Sequence, residues 1–188
     1  MKKYEFTGET KRVELWNRTA TLHRIKATVE FGFVKVGELG GWIEKEENLS
    51  HEGKAWVCGD AEVWGNAKVW GNAKVCGDAK VCGDAEVCGD AEVWGNAKVW
   101  GNAKVCGDAE VFLASHVLVM GSVGSRNDFT TFFRDKDNEI TVKCGCFLGK
   151  IDKFLEKVTQ THGNNKYALV YRAAVEVAKL QIELTERK

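Results

Sequence analysis

The sequence lacks several features that would assign it to a protein class at once. Proline is absent from the 188 residues, so no position loses the backbone N–H that a β-ladder needs. The formal net charge is zero, with 27 basic and 27 acidic residues, which argues against a dedicated binder of nucleic-acid polymers. No apolar run of about 18 residues occurs and no apolar stretch follows Met1, so neither a membrane span nor a secretion signal is predicted. A cytoplasmic location without membrane partners is expected.

The cysteine pattern argues against a disulfide framework. The chain has seven cysteines, an odd number, and five of them occupy a repeat position that tryptophan also fills: Cys58, Cys76, Cys82, Cys88 and Cys106. Reduced thiols are therefore expected. Cys144 and Cys146 are separated by one residue, not by the two of zinc and redox motifs. Neither a metal site nor a cofactor is predicted.

A six-residue repeat, or hexad, fills the middle of the chain, as in VWGNAKVWGNAKVCGDAKVCGDAEVCGD at 63–90. Val recurs every six residues from Val57 to Val123, and most copies continue with Trp or Cys, Gly, Asn or Asp, and Ala. The alternation predicts a short strand with Val and Ala on one face, and the Gly-Asn or Gly-Asp dipeptide predicts a corner. Because so short a strand cannot bury its apolar face alone, the hexads are predicted to stack into a solenoid with a Val/Ala interior.

The repeat resembles the hexapeptide-repeat family, whose left-handed parallel β-helix places three hexads in each triangular coil. Val57 with Ala61, and Val63 with Ala67, match the family pattern of an aliphatic residue followed four positions later by a small one. The resemblance implies a mainly β, single-stranded solenoid with three hexads per coil. A flat coil of two hexads would pair the outward charges of neighbouring coils better and is kept as the alternative. With three hexads per coil, Cys58 would stack on Cys76 and Cys88 on Cys106, within reach of oxidation.

The flanking segments predict a cap before the repeat and a small α+β element after it. We expect an N-terminal β cap over 1–50 with strands at 12–16 and 21–26, and the solenoid over 51–124. We expect a C-terminal element over 125–188, with a hairpin of strands 129–133 and 140–144. Two helices should follow it, the first beginning at Ile151 and stopping at His162-Gly163, the second running from Lys166 to about Leu184. GGWIEKEENLSHEGKAWV at 40–57 and CGCFLG, which begins at Cys144, resemble a group of bacterial and prophage-borne hexapeptide-repeat proteins. This implies a phage-type protein acting in the host cytoplasm.

Outward aromatic residues are the first candidate functional feature. Four tryptophans in the repeat should point away from the interior, which is uncommon for so large an apolar surface: Trp64, Trp70, Trp94 and Trp100. They could form a stacking platform for a planar ligand, a subunit interface, or simple cover for neighbouring strands. The segment 87–110 repeats 57–80 except at its last residue, so the two Trp pairs should lie on different faces.

Basic residues and histidines are the second candidate feature. Arg24, Lys26, Arg126, Arg134 and Lys143 could hold phosphate if they converge, particularly between subunits, and His116 is a further ligand-binding or interface candidate. The hexapeptide-repeat family's best-known activity is acyl transfer, and the resemblance makes His51 and His116 candidates for its general base. No insertion interrupts the repeat between Val57 and Ser122, so the loops that grip the acyl carrier are missing.

The leading hypothesis from the sequence is a non-catalytic, oligomeric β-solenoid, expected as a homotrimer, that binds and sequesters a ligand. The ligand would be small, planar and phosphate-bearing, such as a nucleotide-like signal of host defence, stacked on Trp and held by Arg and Lys. Two alternatives stay open. One is an acetyl-CoA-type acyltransferase, and the other is a purely structural scaffold.

Overall fold

The computed structural model describes residues 2–184, and its architecture is mainly β. A solenoid of about four stacked turns is preceded by an antiparallel hairpin and followed by a four-stranded antiparallel sheet with two helices. The N-terminal strands are β1 (Tyr4–Glu14), β2 (Thr19–Ala27) and β3 (Leu39–Ile43). The solenoid strands are β4 (Trp56–Val57), β5 (Glu62–Val63), β6 (Lys68–Val69), β7 (Lys74–Val75), β8 (Lys80–Val81), β9 (Glu86–Val87), β10 (Glu92–Val93), β11 (Lys98–Val99), β12 (Lys104–Val105) and β13 (Glu110–Val111). The C-terminal elements are β14 (Val117–Val123), β15 (Asp128–Arg134), β16 (Ile140–Cys144), β17 (Phe147–Lys150), α1 (Ile151–His162) and α2 (Lys166–Gln181).

Each turn of the solenoid contains three hexads and three short strands. Glu62 pairs with Lys80 and Val63 with Val81 in parallel register, and the same offset relates all neighbouring repeat strands. The strands therefore form three parallel stacks, β3-β5-β8-β11, β4-β7-β10-β13 and β6-β9-β12. The coil of three hexads is confirmed, and the flat coil of two is wrong.

Valine and alanine fill the interior of the solenoid. The repeat valines and alanines from Ala55 to Val111 are fully buried and form one continuous core. Removing this apolar surface from water is the main favourable term in the stability of the stack. The interior therefore matches the prediction made from the six-residue period.

The corners of the solenoid need glycine for two separate reasons. Gly89 has φ +71°, a conformation that side chains disfavour, and a Cβ built on it would lie 2.8 Å from the backbone nitrogen of Gly107 in the next coil. Gly101 has a similar φ of +66°, but a Cβ there would meet nothing within 4 Å. Glycine at a stacked corner thus provides both the turn and the close approach of neighbouring coils.

The N-terminal hairpin closes one end of the solenoid. Strands β1 and β2 pair with each other and extend the first stack through β3, which lies parallel to β5. Tyr4 is buried beside Trp56, and its hydroxyl donates a hydrogen bond to the carbonyl of Leu49 at 2.8 Å. The two predicted strands are confirmed, although β1 begins earlier than the sequence indicated.

The C-terminal sheet closes the other end. Thr131 Oγ1 accepts a hydrogen bond from the Lys104 N–H at 2.9 Å, and the Lys136 N–H donates to Asp108 O at 3.0 Å. Phe133 packs into the Val/Ala core. The other face of this sheet carries α1 and α2 around Phe132 and Phe154. The predicted hairpin and both helices are present, and no helix within residues 2–184 is long and apolar enough to cross a membrane.

One lysine holds the turn between β15 and β16. Lys150 Nζ lies 2.6 Å from Asp135 Oδ2, 2.7 Å from Glu139 Oε2 and 3.2 Å from Asp137 Oδ2. Burial alone would raise the pKa of Asp135, but hydrogen bonds from Lys150 and Thr141 outweigh it and hold that pKa below its ordinary value. Lys150 thereby joins the acidic turn to the end of β17.

Two disulfides join neighbouring coils, which corrects the expectation of reduced thiols throughout. Cys58 is bonded to Cys76 and Cys88 to Cys106, each pair separated by 18 residues. The stacking brings the paired Cα atoms to 4.6 Å, within the range that a disulfide spans. The odd number of cysteines and their exchange with tryptophan in the repeat did not predict these disulfides, because the pairing is set by the number of residues in each coil.

Candidate functional site

The repeat tryptophans do not form one surface. Trp64 is only 9% exposed because the N-terminal hairpin covers it with Ala20 and Leu22, so the prediction of an exposed ring is wrong at this position. Trp70, Trp94 and Trp100 are exposed, the last by 69%. They follow strands β6, β10 and β11, which belong to three different stacks.

Each exposed tryptophan therefore lies on its own face of the solenoid, apart from the other two. Trp94 packs on Phe112 of the next coil, with ring centroids 5.1 Å apart. A planar ligand bound to one chain could stack on one of these rings but could not bridge two faces. Their use as subunit contacts stays a prediction.

The two candidate histidines serve packing. His116 is fully buried edge-on against Phe112, with centroids 4.4 Å apart, and burial lowers its pKa. His51 stacks on Tyr4 at 4.3 Å, and its Nδ1 accepts the Lys3 N–H at 3.1 Å. His116 is closed to a substrate in this arrangement, so the proposed phosphate-binding and base roles have no support in its geometry.

Arg134 is also a structural residue, contrary to the prediction that it could hold phosphate. Its side chain is 2% exposed. The guanidinium donates to Asn138 Oδ1 at 2.8 Å and to the carbonyl of Glu110 at 3.3 Å, and it lies over the Phe112 ring at 4.7 Å. Its donors are directed to the protein itself, where they fix β15 to the last coil.

Arg126 and Lys143 lie on either side of Gly145. Arg126 Nε would be 2.9 Å from a Cβ at Gly145, which makes this glycine necessary for the arginine's position. Lys143 lines a small cavity of about 140 Å³ together with Lys104 and Asp128. Of the predicted basic residues, Arg126 alone lines the larger cavity described next.

The largest cavity among those described within residues 2–184 lies in the C-terminal element. It has a volume of about 460 Å³ and is enclosed by the turn after β14, the β16–β17 turn, α1 and α2. We call it the C-terminal cavity and define it by its lining residues: Ser125, Arg126, Cys144, Cys146, Phe147, Phe154, Lys157, Val158, Thr161, His162 and Tyr171.

Aromatic rings form one wall of the C-terminal cavity. Phe154 contacts Phe147 at a centroid distance of 5.3 Å and meets Tyr171 edge-on at 5.5 Å. His162 lies nearly parallel to Tyr171, with an interplanar angle of 28° and centroids 5.9 Å apart. Phe154 and Tyr171 are each only 4% exposed, so half-buried Phe147 and His162 are the rings that can face a flat ligand.

Polar and cationic groups lie on the same cavity. His162 Nε2 and Ser125 Oγ are 3.2 Å apart and share a hydrogen bond. Burial raises the pKa of Tyr171, so its phenol stays protonated at neutral pH. Arg126 and Lys157 are exposed at the cavity and add two positive charges, the guanidinium being suited to bidentate binding of phosphate.

Sequence reasoning missed most of this cavity. Phe154, Val158 and His162 recur at four-residue spacing on α1, a signal that predicts a helix face turned inward but not a void beside it. The cavity depends on how α1 and α2 sit on the β16–β17 turn, which the periodicity does not specify. No protein-family model and no curated protein matches the chain, so its function is argued from the site alone.

Proposed function

We propose that this protein is an oligomeric hexapeptide-repeat protein, wound as a left-handed, single-stranded β-helix, that binds a small planar molecule bearing phosphate. The turn of three hexads, the three parallel stacks and the Val/Ala interior support this assignment of the solenoid. The ligand is bound in the C-terminal cavity and is sequestered without being converted.

The observation that supports the proposal most is that aromatic rings and two cations line the same cavity. A volume of about 460 Å³ is within the usual range of small-ligand sites. Half-buried Phe147 and His162 suit a base, because stacking on aromatic side chains is tolerant of base identity. Arg126 and Lys157 suit the phosphate.

A nucleotide-like signal of host defence is the ligand class we propose. The C-terminal cavity supports it, because ring faces for a base and two cations for phosphate lie together there. Sequestration needs affinity and not turnover, which agrees with the structural roles of His51 and His116.

Isothermal titration against a panel of mono-, di- and cyclic nucleotides tests the proposal. We expect at least one nucleotide to bind, and we expect Arg126→Ala and Lys157→Ala each to weaken that binding about tenfold, since a charge-assisted hydrogen bond contributes about 1.5–3 kcal/mol.

Lys153→Ala is the matched control for this titration. Lys153 lies one turn before Lys157 on α1 and is ion-paired with Glu156 at 3.0 Å, so its loss should leave affinity unchanged. Absence of heat with every nucleotide, or equal binding by all three variants and the parent protein, would contradict the proposal.

A further inference from the structure

Helix α2 has a second apolar face that the protein does not cover. Its buried face packs on the C-terminal sheet and α1 through Ala168, Tyr171, Val175 and Ala178. On another side of the helix, Val170 and Val177 are exposed, together with Leu169 and Leu180, the last by 89%. The helix therefore presents apolar side chains on two opposite sides.

The spacing of the exposed residues is that of a helix–helix seam. Val170, Ala173, Val177 and Leu180 are separated by three, four and three residues, and all four are exposed. This 3-4 alternation keeps side chains along one side of a helix and is the pattern by which two helices pack knobs into holes. We call these four residues the α2 seam.

We infer that the α2 seam packs against the same seam of a second copy, with the two helices antiparallel about a two-fold axis. The charges beside the seam select this orientation. Glu176 and Lys179, of opposite sign, lie one turn apart along one edge of the helix. In an antiparallel pair the same edges of both helices face each other.

The register follows from the positions of these charges. With the two-fold axis between Val177 and Ala178, Glu176 faces the partner subunit's Lys179, and Lys179 faces the partner subunit's Glu176. Both facing pairs are then of opposite sign. A parallel pair would set this edge against the other edge of the seam, where Gln181 offers no charge.

The seam is short, so the dimer should be reversible. A helix of 16 residues is about 24 Å long, and two such helices bury an area at the low end of specific interfaces. We expect dissociation in the micromolar range. This inference rests on the homo-oligomeric part of the proposed function and is independent of the ligand.

Sedimentation of ligand-free protein from low to high micromolar concentration tests the inference. We expect a monomer–dimer equilibrium that Val177→Asp and Leu180→Asp each weaken about tenfold or more, since a charge then enters the buried seam. Trp16→Asp is the control, because Trp16 is fully exposed in the β1–β2 turn and should not affect association. A monomer at every concentration, or a trimer unaffected by these two substitutions, overturns the inference.

Charge reversal tests the antiparallel register separately from folding. Glu176→Lys or Lys179→Glu alone should weaken the dimer, because like charges then face each other, and the double reversal should restore it. If the single reversals leave the dimer unchanged, the register is wrong. Because no ligand is present, failure of nucleotide binding would not alter this result, and a monomer that still binds nucleotide would refute the dimer alone.

Discussion

The solenoid and the C-terminal element both bury an apolar interior, but their elements pack in different ways. In the solenoid, each coil meets a copy of itself three hexads later, so Val packs on Val and Gly on Gly. In the C-terminal element, strands and helices of unlike shape meet, and a cavity of about 460 Å³ is left between them. Repetition closes the interior of the solenoid, and the candidate site lies where repetition ends.

Reducing the disulfides should have the largest effect on stability, and it should act on the solenoid alone, since both bonds join coils of the solenoid. Each bond closes a loop of 18 residues, and its reduction should lower the free energy of unfolding by about 3 kcal/mol. Urea unfolding with and without reductant measures this. Cys82→Ser is the control, because Cys82 is a free thiol and should not change the response to reductant. Equal midpoints in both conditions would mean that the thiols are reduced in the native protein.

Two glycine substitutions compare a corner of the solenoid that is covered by the next coil with a corner that is not. Gly89→Ala should lower the free energy of unfolding by about 3 kcal/mol, because the methyl group meets the backbone of Gly107 and the positive φ is also strained. Gly101→Ala has the same φ strain but open space, so about 1 kcal/mol is expected. Urea unfolding of the two variants separates contact from strain. Equal losses would show that the coils do not stack as closely as described.

A smaller effect than that of the disulfides or of Gly89→Ala is expected at the acidic turn of the C-terminal element. Lys150→Met should lower the free energy of unfolding by about 2 kcal/mol at neutral pH, because buried Asp135 loses its charged donor. Lys153→Met is the exposed control. Thermal unfolding across a pH series measures both variants.

The pH dependence of that effect follows from the two pKa shifts. The folded pKa of Asp135 is depressed, so its contribution is present above its ordinary pKa and is lost as the pH falls through the folded value. The pKa of Lys150 is raised, so its contribution persists up to its ordinary value of 10.5 and is lost only at higher pH. The difference between parent and Lys150→Met should therefore shrink in acid. A difference that grows in acid would refute the role of this ion pair.

The sequence predicted more of the solenoid than of the C-terminal element, and the reason is physical. The positions of Val57 and Ala61 recur, so their burial followed from the period alone. The burial of Trp64 and Arg134 did not follow from the period, because it depends on contacts with β2 and with the last coil, which lie far away in sequence. The C-terminal cavity is of the same kind, since Arg126 and Tyr171 meet only through tertiary packing.

The most direct test of the account compares nucleotide titrations of Arg126→Ala and Trp100→Ala. Trp100 is the most exposed of the repeat tryptophans, and Arg126 lines the C-terminal cavity. If binding belongs to the C-terminal element, affinity falls about tenfold in Arg126→Ala and is unchanged in Trp100→Ala. Loss of affinity in Trp100→Ala with full affinity in Arg126→Ala would place the ligand on the solenoid and contradict the account.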